Sequence, residues 1–127
     1  MITYLIDSNI VLRYLIPEAT TLHKRAVQYF FDAQNKKAKL FIDDVTLAEI
    51  VWVLKSVYLK KSKDISDLLT PIIEHNSIIL NNKDLILQSL RFFSTHNLSY
   101  IDCYLHCLSQ SKNIPFATFD EKLSKLK

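Results

Sequence analysis

The chain has 127 residues, 49% of them hydrophobic and 23% charged, the make-up of one soluble globular domain over residues 1–127. The net charge of +3 is small, and no apolar run approaches the roughly 18 residues of a membrane span, so a membrane-spanning protein is excluded. Glycine is absent, which rules out the Gly-rich loops that cradle phosphates in P-loop and dinucleotide-binding proteins.

Residues 2–6 (ITYLI) are β-branched and aromatic and predict a strand, entered at once with no basic leader before it. A short helix follows, ending near Pro17. The next helix, over about 21–35, takes Thr20 or Thr21 as its N-cap and Leu22, Ala26, Val27, Phe30 and Phe31 as its inner face. A strand at about 39–42 (KLFI) leads into a long helix at about 45–60 that is apolar on more than one face, with Leu47, Ile50, Val51, Trp52, Leu54 and Tyr58 among its residues. A helix of that kind needs cover beyond its own sheet, and a homodimer is the expected use.

A helix at about 65–75 and a strand at about 77–80 (SIIL) come next. Helices at about 83–96 and 100–112, a strand at about 115–118 (PFAT) and a helix from about 121 complete the order. Without glycine, left-handed helix ends fall to asparagine, and Asn35, Asn76, Asn97 and Asn113 each follow a helix-like stretch. Short apolar strands alternating with helices predict an α/β fold, a short parallel sheet of about four strands sandwiched between helices.

Cys103 and Cys107 stand four apart on one predicted helix, which is no disulfide framework and places the chain in a reducing cytoplasm. Together with His106 and the nearby His96 they are crowded enough to raise zinc, but a closed zinc site needs four ligands in tetrahedral geometry, so structural cysteines are the expectation. Lys55, Lys60, Lys61 and Lys63 form an acid-free stretch, expected to be a solvated helix end and loop.

The acids carry the chemistry. In open α/β sheets, sites form beyond the carboxyl ends of the strands. Asp7 ends the first strand, Glu49 sits inside VTLAEIVWVL, Asp102 opens LSYIDCYLHCL, and Asp120 follows the last predicted strand in FATFD. Each has an ordinary structural role open to it: Asp7 and Asp120 as N-caps, Ser99 with Asp102 as a capping box, Glu49 as a partner for a lysine. If the four converge, their mutual repulsion calls for a hard divalent cation with oxygen ligands, Mg2+ or Mn2+.

Taken in order, D-S-N-I-V, L-A-E-I-V-W-V-L, Y-I-D-C-Y-L-H-C-L and A-T-F-D resemble the PIN domain, most closely the ribonuclease toxins of VapC-type toxin–antitoxin pairs. The resemblance implies a PIN-like α/β/α sandwich and a four-acid metal site at Asp7, Glu49, Asp102 and Asp120. It further implies an endoribonuclease in which a metal-activated water hydrolyses the RNA phosphodiester, and a cognate antitoxin as protein partner. Asn9 and Thr118 fall on polar positions that orient carboxylates or the water, and Arg13 on a basic position that is a candidate phosphate contact. The helix after Asp102 departs from the family's small residues, with Tyr104, His106 and Cys107 in their place. Two other readings stay open: a PIN-like module that binds RNA or protein without cutting, and a phosphorylation-switched receiver domain. The receiver needs an acid pair after the first strand and a lysine after the last, and neither D-S-N nor FATFD supplies one.

Overall fold

The structure, a computed structural model, describes residues 1–126. Three strands, β1 (Ile2–Leu5), β2 (Ala38–Phe41) and β3 (Ile78–Ile79), form a parallel sheet in the order β1-β2-β3. Around it lie α1 (Ser8–Leu15), α2 (Thr21–Gln34), α3 (Asp44–Ser56), α4 (Ser62–Glu74), α5 (Lys83–Thr95), α6 (Tyr100–Lys112) and the short α7 (Glu121–Ser124). No helix among the described residues is long and apolar enough to cross a membrane.

Parallel pairing runs in the register Ile2↔Ala38 to Leu5↔Phe41 and Leu40↔Ile78 to Phe41↔Ile79. β2 is central, so its alternate residues Ala38 and Leu40 are buried, and the ladder continues past the strands through Ile6 N–H to Phe41 O and Ile42 N–H to Ile79 O. The core collects Leu47, Ile50 and Leu54 from α3, Ile65, Leu69 and Ile73 from α4, and Ile86, Leu90 and Phe93 from α5. Each set recurs at three- or four-residue spacing, the mark of one helical stripe turned inward. Burying a side chain of this size stabilises the fold by about 1.5–3 kcal/mol before entropy is counted.

The helix starts follow their caps. Thr20 Oγ1 accepts the His23 N–H, Asp43 accepts the Val45 N–H, and Asn82 accepts the Leu85 N–H, each bond satisfying a donor that the helix itself leaves free.

Four expectations change. The sheet has three strands rather than four, because residues 115–118 carry no ladder. Pro115 lacks an N–H to donate, and the segment is tied back to α6 instead, Ile114 N–H to Ser109 O and Ser109 Oγ–H to Ile114 O. Helix α2 turns Ala26, Phe30 and Ala33 inward and leaves Leu22, Val27 and Phe31 largely exposed, since small alanines let it lie close to its neighbours. Helix α3 stops at Ser56, four residues early, where the chain turns out through Leu59 in the left-handed region (φ 56°).

Asparagine, finally, caps less often than expected. Only Asn113 takes a left-handed cap (φ 54°), while Asn35 closes α2 through its side chain, Nδ2 donating to Phe31 O at 2.8 Å. The other left-handed positions among the described residues are Lys36 and Leu59.

Candidate active site

β1 and β2 hand the chain to their helices two residues beyond their ends, through the caps Asp7 and Asp43, and β3 does so through Asn81 and the cap Asn82, placing Asp7, Asp43 and Asn81 along one carboxyl edge of the sheet. Asn81 Nδ2 donates to Asp43 Oδ1 at 3.3 Å across that edge. Asp7 is exposed and caps α1, its Oδ1 accepting the Ile10 N–H at 3.1 Å. That cap occupies one carboxylate oxygen, Oδ1.

Glu49 is exposed on α3 and lines a pocket of about 300 Å³ together with Asn9 and Arg13 of α1. Arg13 Nη1 stands 3.6 Å from Glu18 Oε2 in a half-exposed pair, a contact of small energetic weight. Asp102 is half-buried in the first turn of α6, its N–H bonded to Ser99 Oγ at 3.2 Å. Asp120 caps α7 by accepting the Leu123 N–H at 3.1 Å, and Thr118 Oγ1 accepts the Asp120 N–H, also at 3.1 Å. Thr118 therefore fixes the backbone from which the Asp120 carboxylate projects.

The structure thus joins Asn9, Arg13 and Glu49 around one pocket, and Thr118 to Asp120. It does not gather three of the four acids: among the described residues, no three His, Cys, Asp or Glu side chains stand close enough to hold a metal ion. Nor is any of the four in an ion pair among those residues, where the pairs are Arg13–Glu18 and Lys63–Asp67. Of the lysine stretch, Lys55 is held by Ser62 Oγ at 2.9 Å and lies over the Phe93 ring, and Lys63 meets Asp67.

Helix α6 contributes a contact that the sequence did not single out. Tyr104 Oη donates to Asp44 Oδ2 at 3.4 Å, while the buried Tyr100 Oη and Asp44 Oδ1 meet no partner among the described residues. Burial first, and then the Asp44 charge, push both phenols above their ordinary range. The signal available was the doubled acid Asp43-Asp44 immediately before VTLAE, opposite two tyrosines one turn apart.

The model of the PIN domain family matches residues 4–127, nearly the whole chain. The chain belongs to the PIN domain family. This PIN domain is also similar to a VapC ribonuclease of Aquifex aeolicus (strain VF5), 22% identical over 123 residues that cover 96% of this chain and 90% of that protein.

Within the PIN domain, the cysteine and histidine cluster is packing. Cys103 and Cys107 are buried free thiols, and burial pushes Cys103 up to about 12. His106 is buried against Phe92, on which His96 also stacks at 3.7 Å between ring centres. Burial, then the neighbouring His96, lowers the His106 pKa from 6.5.

Proposed function

We propose that this PIN domain is a divalent-metal-dependent endoribonuclease, the toxin of a VapC-type toxin–antitoxin pair, acting in the cytoplasm. The observation that carries the proposal is the likeness to a VapC ribonuclease along 96% of the chain, with an acid at each of the four positions Asp7, Glu49, Asp102 and Asp120. The donor set suits the ion: four carboxylates, none in an ion pair among the described residues, are hard oxygen ligands of the kind Mg2+ and Mn2+ prefer. Asp7, Glu49, Asp102 and Asp120 would hold the ion after side-chain rotations that bring them together.

Bound there, Mg2+ or Mn2+ supplies Lewis-acid chemistry for hydrolysis of a phosphodiester. The protein's own part is orientation and charge. Thr118 sets the backbone of Asp120, Asn9 lines the same pocket as Glu49 and would orient its carboxylate, and Arg13 would offer a guanidinium to a phosphate there. An RNA strand with unpaired bases is the natural substrate, since its splayed bases and backbone can both be reached.

A homodimer and an antitoxin complete the proposal. Trp52 on α3 is 63% exposed, and Ile101 on α6 is half-exposed beside it, both lining a mostly apolar pocket of about 360 Å³. Apolar side chains gathered this way favour a second copy of the chain as cover.

The test is direct. Purified protein should cleave single-stranded RNA with Mg2+ or Mn2+, leaving 5′-phosphate ends, and be silent in chelator. Asp7→Asn, Glu49→Gln and Asp102→Asn should each lose cleavage, and Asp120→Asn most of it. Cutting that persists in chelator, or 2′,3′-cyclic phosphate products, would overturn the proposal.

A further inference from the structure

Helices α1 and α2 enclose a second pocket beside the one that Glu49 lines. Leu22, Arg25 and Tyr29 recur at three- and four-residue spacing on α2, and Asn9 and Arg13 stand one turn apart on α1, so each set shares one helix face. The two faces line a pocket of about 240 Å³. Asn9 and Arg13 also line the Glu49 pocket, so the two cavities share a wall. They differ in charge. Glu18 and Glu49 line the first, whereas the second has Arg13 and Arg25 and no acid among the described residues around it.

The two helices are tied together at this point. His23, in the first turn of α2, donates its Nδ1–H to the Arg13 carbonyl at 2.6 Å, which fixes the start of α2 on the turn of α1 that carries Arg13. Tyr29 is half-buried and set edge-on against Tyr4, with ring centres 5.0 Å apart, so the aromatic wall of the pocket is held from the strand side. Arg25 is exposed and in no ion pair among the described residues, and Arg13 has only its half-exposed contact with Glu18. Two cationic side chains around one small cavity repel each other, and an anion between them relieves that repulsion. A phosphodiester fits the need: guanidinium forks bind phosphate oxygens in pairs, and Tyr29 and Leu22 offer apolar surface to an unpaired base.

We propose that Arg25, together with Arg13, forms a subsite for an RNA backbone phosphate flanking the one that is cut, so that the strand runs from the acids across α1 onto α2. This rests on the nuclease reading above. The shared wall favours RNA over an acidic protein segment, because a strand seated beside Glu49 reaches the second pocket simply by passing Arg13.

The experiment uses a fluorescently labelled single-stranded oligoribonucleotide and the full chain as wild type, Arg25→Gln and Lys24→Gln. Lys24 is the neighbouring residue on α2 and does not line the pocket, so its substitution removes the same charge from the same helix. Both positions are exposed, and neither change disturbs the core. Anisotropy in chelator, across a range of salt, reads binding without cutting. Arg25→Gln should weaken binding several-fold at low salt and lower the slope of log affinity against log salt by about 0.7, the share of one phosphate contact on a single strand. Lys24→Gln should leave that slope unchanged. With Mn2+, Arg25→Gln should raise KM for cleavage at constant kcat, because the contact is the same before and during the cut.

An Arg25→Gln protein that binds RNA like wild type overturns the subsite, as does a Lys24→Gln loss of equal size, which would make the effect one of general charge. Polyglutamate that displaces the RNA as well as unlabelled RNA does would make the pocket a site for acidic peptide and overturn it too. A wild type that cuts no RNA with Mg2+ or Mn2+ overturns the nuclease reading and this inference with it, whereas a wild type that cuts, matched by Arg25→Gln in slope and KM, overturns the inference only.

Discussion

Asp7 stands where a helix cap and a metal ligand would look alike, and substitution separates them. Asp7→Asn keeps an oxygen to accept the Ile10 N–H, now bonded at 3.1 Å, and removes only the charge. Asparagine caps about as well as aspartate, so the loss is the attraction between carboxylate and helix dipole, about 0.3–1 kcal/mol. For a domain of this length 1 kcal/mol moves Tm by roughly 3–6 °C, so the variant in chelator should melt about 1–6 °C below wild type. Little repulsion offsets that loss, because the acids do not crowd together in the metal-free arrangement.

Metal should open a much larger gap. An ion at a hundred times its Kd stabilises the fold that binds it by about 2.7 kcal/mol, which is about 8–16 °C here. Asp7→Asn lacks one hard anionic ligand and should forfeit most of that gain. Asp7→Ala should lose the cap as well, about a further 1 kcal/mol in chelator. Thermal melts by circular dichroism, with saturating Mn2+ and with chelator, read all of these values. If Asp7→Asn gains as many degrees from Mn2+ as wild type does, Asp7 is a cap and nothing more.

Other outcomes follow from groups away from the acids. The lowered pKa of His106 means that the unfolded chain takes up a proton which the fold refuses. Stability is therefore complete above about pH 6.5 and falls as pH drops below it, and His106→Gln should flatten that part of a Tm–pH curve. Cys103 and Cys107 should resist a thiol reagent at pH 8 until the protein is denatured, so rapid labelling of the native chain would contradict their burial. Leu59→Gly should raise Tm by a few degrees: Leu59 is 81% exposed, so little burial is lost, and its left-handed backbone costs roughly 1–2 kcal/mol that glycine avoids. Leu47→Ala, at a position with no exposure, should cost about 2–5 kcal/mol in denaturant titration.

Where periodicity was long and capped, the fold was legible. Helix α6 occupies the expected residues, and α2 and α5 fall within one residue of theirs at each end. Two of their caps, Thr20 and Ser99, are side chains that declare themselves. What failed depended on partners outside the segment. PFAT has strand composition, but a strand exists only with a neighbour, and Pro115 and the tie to Ser109 take it elsewhere. The end of α3 was hidden because Val57, Tyr58 and Leu59 continue an apolar run while the backbone reverses beneath them.

The site divided in the same way. That Thr118 would meet Asp120 was legible, because two residues of separation is a local matter, but the bond goes to the Asp120 N–H rather than to its carboxylate. Which tyrosine would meet Asp44, sixty residues away, was not, because only the packing of α6 on α3 decides it.

The register of β1 on β2 bears on when the protein becomes whole. Ile2 pairs with Ala38, and α1 and α2 lie between, so the first strand has no ladder partner until β2 has been made. Helix α4, by contrast, packs on α5 and α5 on α6, so these three can associate as soon as each follows the last. Asp120 comes later still, with only α7 among the described elements after it. A chain growing from its N-terminus therefore leaves the strand before Asp7 without a ladder until Phe41 has been made, and adds Asp120 last of the four acids. Assembly of the proposed site is in this way postponed by topology, since the strand that carries Asp7 waits for a partner made only after two intervening helices.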